Sequence, residues 1–252
     1  MKKKIISLCL VLALALTAIG GATLAYFTDN DAQENTFTTG NVAIDLWEDF
    51  GSNSGIEHLV PATGSAQNGT LQNGIKKEVY VGNTGSENAY VRVHIAIPQV
   101  LDNGDPSFDA GKNVLHFNFA PESVGEGMWD WSKTAEDGVT TGNWNYYETE
   151  IGNVKYNVYV VTYTTALESN EVTCEAINQV YLDSKVTNED ITKIKETLDD
   201  NWYIYVVAEG CQVDGFANAY EALNASFGEP GSYTVDFKAA SEGKTFQSKV
   251  SF

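Results

Sequence analysis

The chain has 252 residues, with 15 Lys and Arg against 34 Asp and Glu, and is 43% hydrophobic and 12% aromatic. This is the composition of a folded chain with an aromatic-rich core, at a length that one large β domain or two smaller domains can fill. A formal net charge of −19 sets it against phosphate backbones and anionic membranes, which excludes nucleic acid as a partner, and five Pro beside 22 Gly exclude a proline-rich linker or a collagen-like repeat.

Lys2, Lys3 and Lys4 stand ahead of an uncharged apolar run from Ile5 to Ile19, followed by Gly20, Gly21 and Ala22. That order is the pattern of a secretory signal. Thr23 and Ala25 offer small side chains where a signal peptidase reads them, so the expected cut falls between Ala25 and Tyr26. Left uncut, residues 5–25 are long enough to span a bilayer, and the membrane enters only through this uncleaved signal. The exported form loses three lysines, Cys9 and no acid, and becomes more acidic still.

Beyond the signal the chain reads as strands. Val42, Ile44 and Leu46 alternate with Ala43, Asp45 and Trp47. Val79 and Val81 lie in a strand that ends at the turn cluster Gly82-Asn83-Thr84-Gly85-Ser86, and Val91, Val93, Ile95 and Ile97 then alternate with Tyr90, Arg92 and His94 until Pro98 stops them. Leu115–Phe119 and Asn143–Glu150 are shorter runs. Lys155–Leu167 is apolar or aromatic on both faces, as a central strand requires. Tyr203–Ala208, Tyr233–Phe237 and Thr245–Phe252 complete the series.

Two helices interrupt it. Thr187 with Asp190 forms a capping box before Ile191, Ile194 and Leu198. Asn218 caps a second helix with Glu221 in its first turn, Ala219, Ala222 and Leu223 as its buried stripe, and Gly228 to end it. Many short strands, two short helices and no βαβ alternation predict an all-β fold, a two-sheet β-sandwich of jelly-roll type.

The search for chemistry is nearly empty. No H-E-x-x-H pair is present, Gly51-Ser52-Asn53-Ser54-Gly55 has Asn where a nucleophile elbow needs Ser, and there is no phosphate-binding glycine loop. His58 falls in a loop, and His94 and His116 fall in strands, where a histidine satisfied by a backbone carbonyl is the ordinary reading. Asp102, Asp105 and Asp109 lack the regular series of a calcium loop and read as a solvated acidic turn. No catalytic, cofactor-binding or metal-binding residue is therefore expected. Cys174 and Cys211, two cysteines in an exported chain, are compatible with one disulfide or with two buried thiols. Trp129, Trp131 and Trp144 read as packing or surface residues.

The junction Ala22-Thr23-Leu24-Ala25-Tyr26-Phe27-Thr28-Asp29, followed by Asn35-Thr36-Phe37-Thr38-Thr39-Gly40 and Asn41-Val42-Ala43-Ile44-Asp45-Leu46, resembles the TasA and camelysin family of exported Gram-positive proteins. Lys77–Val81 with Asn83-Thr84-Gly85-Ser86 and Ala89–Val93 resembles the strand pair of that family, and Gln212–Phe216 with Ala222, Phe227 and Gly228 a late motif of its longer members. The resemblance implies cleavage by a SipW-type signal peptidase and a secreted subunit that polymerises with itself into biofilm-matrix fibres, with other matrix proteins as further partners. It implies that the N-terminal strand is donated between subunits. The chain then divides into a signal peptide (1–25), a donor-strand segment (26–45) and one sandwich domain (46–252). Tyr26, Phe27, Thr28, Thr36 and Phe37 are the residues expected to make the donor contacts. A stretch with aromatics at both ends, few charges and no Pro or Gly can add to an open sheet edge. Camelysin-type members have been classed as metal-dependent proteases, so a secreted metallopeptidase is one alternative, and a monomeric surface adhesin is another. No sortase-type motif stands near Phe252, so wall attachment through that end is not expected.

Overall fold

The computed structural model describes residues 41–49, 60–64, 71–104, 115–118, 129–131, 144–198 and 203–238. Their strands are β1 (Ile44–Asp49), β2 (Ile75–Lys76), β3 (Glu78–Asn83), β4 (Ala89–Pro98), β5 (Leu115–Asn118), β6 (Trp129–Asp130), β7 (Tyr146–Ile151), β8 (Val154–Tyr163), β9 (Gln179–Leu182) and β10 (Tyr205–Gln212). The helices are α1 (Asn188–Thr197) and α2 (Ala219–Phe227). Every pairing between these strands is antiparallel.

The larger sheet has the order β10-β4-β8-β6, with β7 also on β8. The other layer holds β1-β3 and β2-β9-β5. Backbone bonds from Lys77 N to Asn178 O, Val79 N to Ile177 O and Thr173 N to Val81 O stitch residues 173–178 along β3, so these two small sheets run on as one layer. The result is the expected all-β two-sheet sandwich.

Alternation decides which face meets the core. On β4, Val91, Val93, Ile95 and Ile97 are fully buried and pack with Val79, Val81, Tyr159 and Val161 between the layers. Each such side chain contributes about 1.5–3 kcal/mol by leaving water. Trp129 and Trp131, 2% and 3% exposed, close this core, and Trp144 packs against it. Packing is therefore the role of all three. β8 is the central strand that its two apolar faces predict, with β4 on one side and β6 and β7 on the other.

Both helix caps form as read. Thr187 accepts from Asp190 N at 3.2 Å while its own N–H donates to the Asp190 carboxylate at 2.8 Å. Asn218 accepts from Glu221 N at 3.0 Å, and Gly228 ends α2 at φ +98°, a conformation that costs glycine little. The stripe Ala219, Ala222 and Leu223 is buried on the outer face of the large sheet, around Cys211.

One predicted strand is absent. Residues 233–237 make no ladder. Gly228 and Gly231 turn the chain at positive φ, and Tyr233 and Phe237 are then held on the outer face of the sheet by their own contacts, which produces alternation without pairing. In the other direction, β2, β6 and β9 are not evident from alternation, because two to four residues are too few to show a period. The predicted strand at 245–252, and the expected cleavage and donor residues Ala25, Tyr26, Phe27, Thr28, Thr36 and Phe37, lie outside the described residues. No helix among the described residues is long and apolar enough to cross a membrane.

Candidate functional site

Two features distinguish this sandwich: the seat of its first strand, and a buried polar cluster on the outer face of the large sheet.

β1 lies on β3 in the register Ile44 opposite Asn83 through Asp49 opposite Glu78. Just before it, Ala43 O accepts from Thr84 N at 2.8 Å and Gly85 N at 3.0 Å, and Asn41 O accepts from Ser86 N at 2.9 Å. Ser86 Oγ accepts from Asn41 N at 3.1 Å. The turn between β3 and β4 thus grips the chain as it enters β1. Asn83, fully buried, holds the turn by donating to Glu87 O and Leu167 O and accepting from Gly85 N. Gly85 is required for contact, since a Cβ there would lie 2.1 Å from Asn41 O. Gly82 is equally confined, with the Trp47 ring 2.2 Å from the place of a Cβ. At the far end of β1, Lys77, 2% exposed, reaches Glu48 at 2.8 Å. Two of the segments on which the sequence resemblance rests, Asn41–Leu46 and Lys77–Ser86, therefore bind each other. Sequence reading names both and does not pair them.

The polar cluster is built from even-numbered positions of β4. Arg92 (2% exposed) and His94 (0%) point away from the main core and lie beneath α2 and the turn that follows it. Arg92 Nε donates to Glu209 on β10 at 2.6 Å, Nη1 to Asn224 Oδ1 at 2.9 Å, and Nη2 to Gly228 O at 3.0 Å and Tyr233 OH at 2.8 Å. Its guanidinium also sits 5.7 Å and 5.8 Å from the Phe227 and Tyr233 ring centres. The Tyr233 hydroxyl in turn donates to Glu209, at 2.7 Å and 2.8 Å from the two oxygens. His94 Nε2 lies 3.1 Å from Glu209 and Nδ1 3.2 Å from Tyr147 OH, so a neutral ring with its proton on Nε2 satisfies both.

Burial lowers the His94 pKa, and neighbouring Arg92 lowers it further against the pull of Glu209. Burial works the other way on Glu209, but the contacts of His94, Tyr233 and Arg92 outweigh it and bring the carboxyl down to about 2. Burial raises Tyr147, and burial with the Glu209 hydrogen bond raises Tyr233. The cluster thus holds an ionised Arg–Glu pair with a neutral His and two neutral tyrosines. His94 is satisfied by side chains and not by the backbone carbonyl expected from sequence.

The remaining candidates are scattered. His58, Asp105 and Asp109 lie outside the described residues, and His116 stands in β5 opposite Tyr181. Asp102 is 5% exposed and not a solvated acid: its Oδ2 accepts from Tyr159 OH at 2.6 Å, Asn157 Nδ2 at 2.7 Å and Gly104 N at 3.1 Å. Cys174 and Cys211 are not bonded to each other. Cys174 packs against the core between the layers and Cys211 beneath α2, so the large sheet lies between them.

A zinc site needs three or four converging His, Cys or carboxylate ligands. Among the described residues no three such groups converge, and both His94 nitrogens are already engaged beside a fixed guanidinium. These residues do not fit a catalytic metal.

No curated protein matches the chain. Residues 1–74 match the model of a family described as camelysin metallo-endopeptidase, so the likeness to that family covers the signal-like segment, β1 and the approach to β2.

Proposed function

We propose that this protein is a secreted structural subunit. Cleavage between Ala25 and Tyr26 by a SipW-type peptidase frees the segment Tyr26 to Phe37, and this segment adds to a sheet edge of another copy, building extracellular matrix fibres. The observation that supports the reading is β1: among the described residues it has a strand partner on one side only, and its entry at Asn41 and Ala43, which follows the segment Tyr26 to Phe37 in sequence, is clamped by the turn at Thr84, Gly85 and Ser86. Backbone bonds made by such a strand contribute about 0.5–1.5 kcal/mol each, and Phe27 and Phe37 about 1.5–3 kcal/mol apiece when buried. A head-to-tail contact of this kind yields filaments wherever its rotation does not close a ring. The match over residues 1–74 supports export, since it spans the junction.

Negative-stain microscopy of the mature chain tests this. The expected result is fibres from the full mature chain, more rapidly at higher salt as like charge is screened. Deletion of 26–37 is expected to leave a folded monomer. Fibres from the deleted chain at an undiminished rate would overturn the reading.

The description of the matched family favours a second reading, a metallo-endopeptidase. Chelator-sensitive casein cleavage co-eluting with the purified protein would establish it, and the expected result is none.

A further inference from the structure

The segment 217–233, α2 with the turns on either side of it, lies on the large sheet without joining its ladders. Its backbone bonds close within it, from Ala222 N to Asn218 O, Gly228 N to Asn224 O and Ser232 N to Glu229 O. Side chains tie it down: Arg92 reaches Asn224, Gly228 O and Tyr233, Glu209 accepts from Tyr233, and Tyr220 donates to Asp130 on β6. Its apolar stripe packs around Cys211, and among the described residues none of 213–237 belongs to the main core between the layers. The segment leaves β10 through a turn in which Gly215 stands at φ +93° with nothing packed against it, so the backbone is free to pivot there.

His94 is the buried group beneath this segment whose charge can change. The groups that face it are Glu209 from β10, Tyr147 from β7, Tyr233 from the segment itself and Arg92 from its own strand. Val160 and Val207, opposite it on β8 and β10, do not titrate. From α2, Asn224 and Phe227 meet Arg92 without a charge, and burial raises the Cys211 thiol so that it stays protonated. The closed cluster therefore holds one guanidinium, one carboxylate and no net charge. A proton on His94 Nδ1 leaves two cations sharing Glu209, and removes the acceptor to which the Tyr147 hydroxyl donates. That net positive charge would sit at 0% exposure, a cost that water relieves once the segment lifts. Tyr233, edge-on to His94 with ring centres 6.3 Å apart, leaves with the segment and uncovers the ring.

We infer that residues 217–233 form an acid-released latch: proton uptake by His94 lifts α2 and its flanking turns off the large sheet while both layers of the sandwich stay folded. Opening bares Cys211 and the apolar outer face around it. Burial holds His94 in the closed form below its ordinary 6.5, so the open form takes up the proton first. Its population then gains up to about tenfold for each pH unit below that value. Glu209, with a closed value of about 2, titrates below this window. The main core, which the segment does not share, keeps the rest of the molecule closed.

Thiol labelling of the mature chain with 4,4′-dithiodipyridine tests the latch. The two sites are separated by peptide mass, and each rate is divided by that of the same thiol in urea at the same pH. Between pH 7 and pH 5 the relative rate at Cys211 is expected to rise about tenfold, while Cys174, across the large sheet, stays constant. No rise at Cys211, or a rise shared by Cys174 as in global unfolding, would overturn the inference. His94→Gln is expected to abolish the rise, and a rise of undiminished size there would show another sensor and overturn it. Tyr233→Phe keeps His94 and removes one tie, so Cys211 is expected to label faster at both pH values with the same dependence on pH. Loss of that dependence with His94 intact would equally overturn it.

Discussion

The two faces of the large sheet are buried by different means. Toward the other layer, β4 presents Val91, Val93, Ile95 and Ile97, whose burial is non-directional and forgiving of small shifts. Toward α2 the same strand presents Arg92 and His94, whose burial is tolerable only because Glu209, Asn224, Tyr233, Tyr147 and Gly228 O meet them at fixed points. One face supplies adhesion. The other dictates where α2 and the turn after it must sit, because a displaced cap would strand a charge out of water.

The sharpest way to break this contrast is Arg92→Ala. It leaves the Glu209 charge buried without its partner, and a loss of about 3–5 kcal/mol is expected in urea unfolding. On the opposite face, Ile95→Ala is expected to cost about 2–5 kcal/mol through lost burial and a cavity, without altering the placement of α2 in hydrogen exchange. Removing both charges together sharpens the comparison. Arg92→Met with Glu209→Leu should cost far less than Arg92→Ala alone, within about 1–2 kcal/mol of the parent, since no ion remains to be desolvated. If the double change is as damaging as the single one, the cluster adheres as the apolar face does.

The smallest expected effect is on pH dependence. The His94 pKa lies below its ordinary 6.5 because of burial, so the unfolded chain takes up that proton first and stability falls as pH drops below 6.5. Glu209, with a folded value of about 2 against 4.5, contributes stability that is complete above 4.5 and is lost as pH falls toward 2. Both act in the same direction in acid, and the two groups titrate as a pair. Urea midpoints measured from pH 8 to pH 3 are expected to decline in two stages, and His94→Gln should remove the earlier one.

Local chemistry was legible in the sequence and long-range chemistry was not. Thr187 with Asp190 and Asn218 with Glu221 announce their helices because a cap is decided within four residues. Val91 to Ile97 announce a strand because period two needs no partner. The same alternation cannot say what covers the polar side, so Arg92 and His94 read as an ordinary half-exposed face, although their partners lie more than 50 residues away in Tyr147, Glu209, Asn224 and Tyr233. Tyr233–Phe237 misleads for the same reason: side chains anchored singly to a sheet copy the period of a strand. Asp102 reads as a solvated acid because its buried partners, Asn157 and Tyr159, are 55 and 57 positions distant.

The clamp at the entry to β1 has a mechanical meaning. The rungs between β1 and β3 lie across the strands, so tension directed along β1 would load all of its rungs at once, in shear. Peeling would require the chain to lift off one rung at a time, beginning at Asn41 and Ala43, where the turn at Thr84, Gly85 and Ser86 holds it with several bonds. A subunit anchored in this way resists a steady pull with the whole length of its first strand.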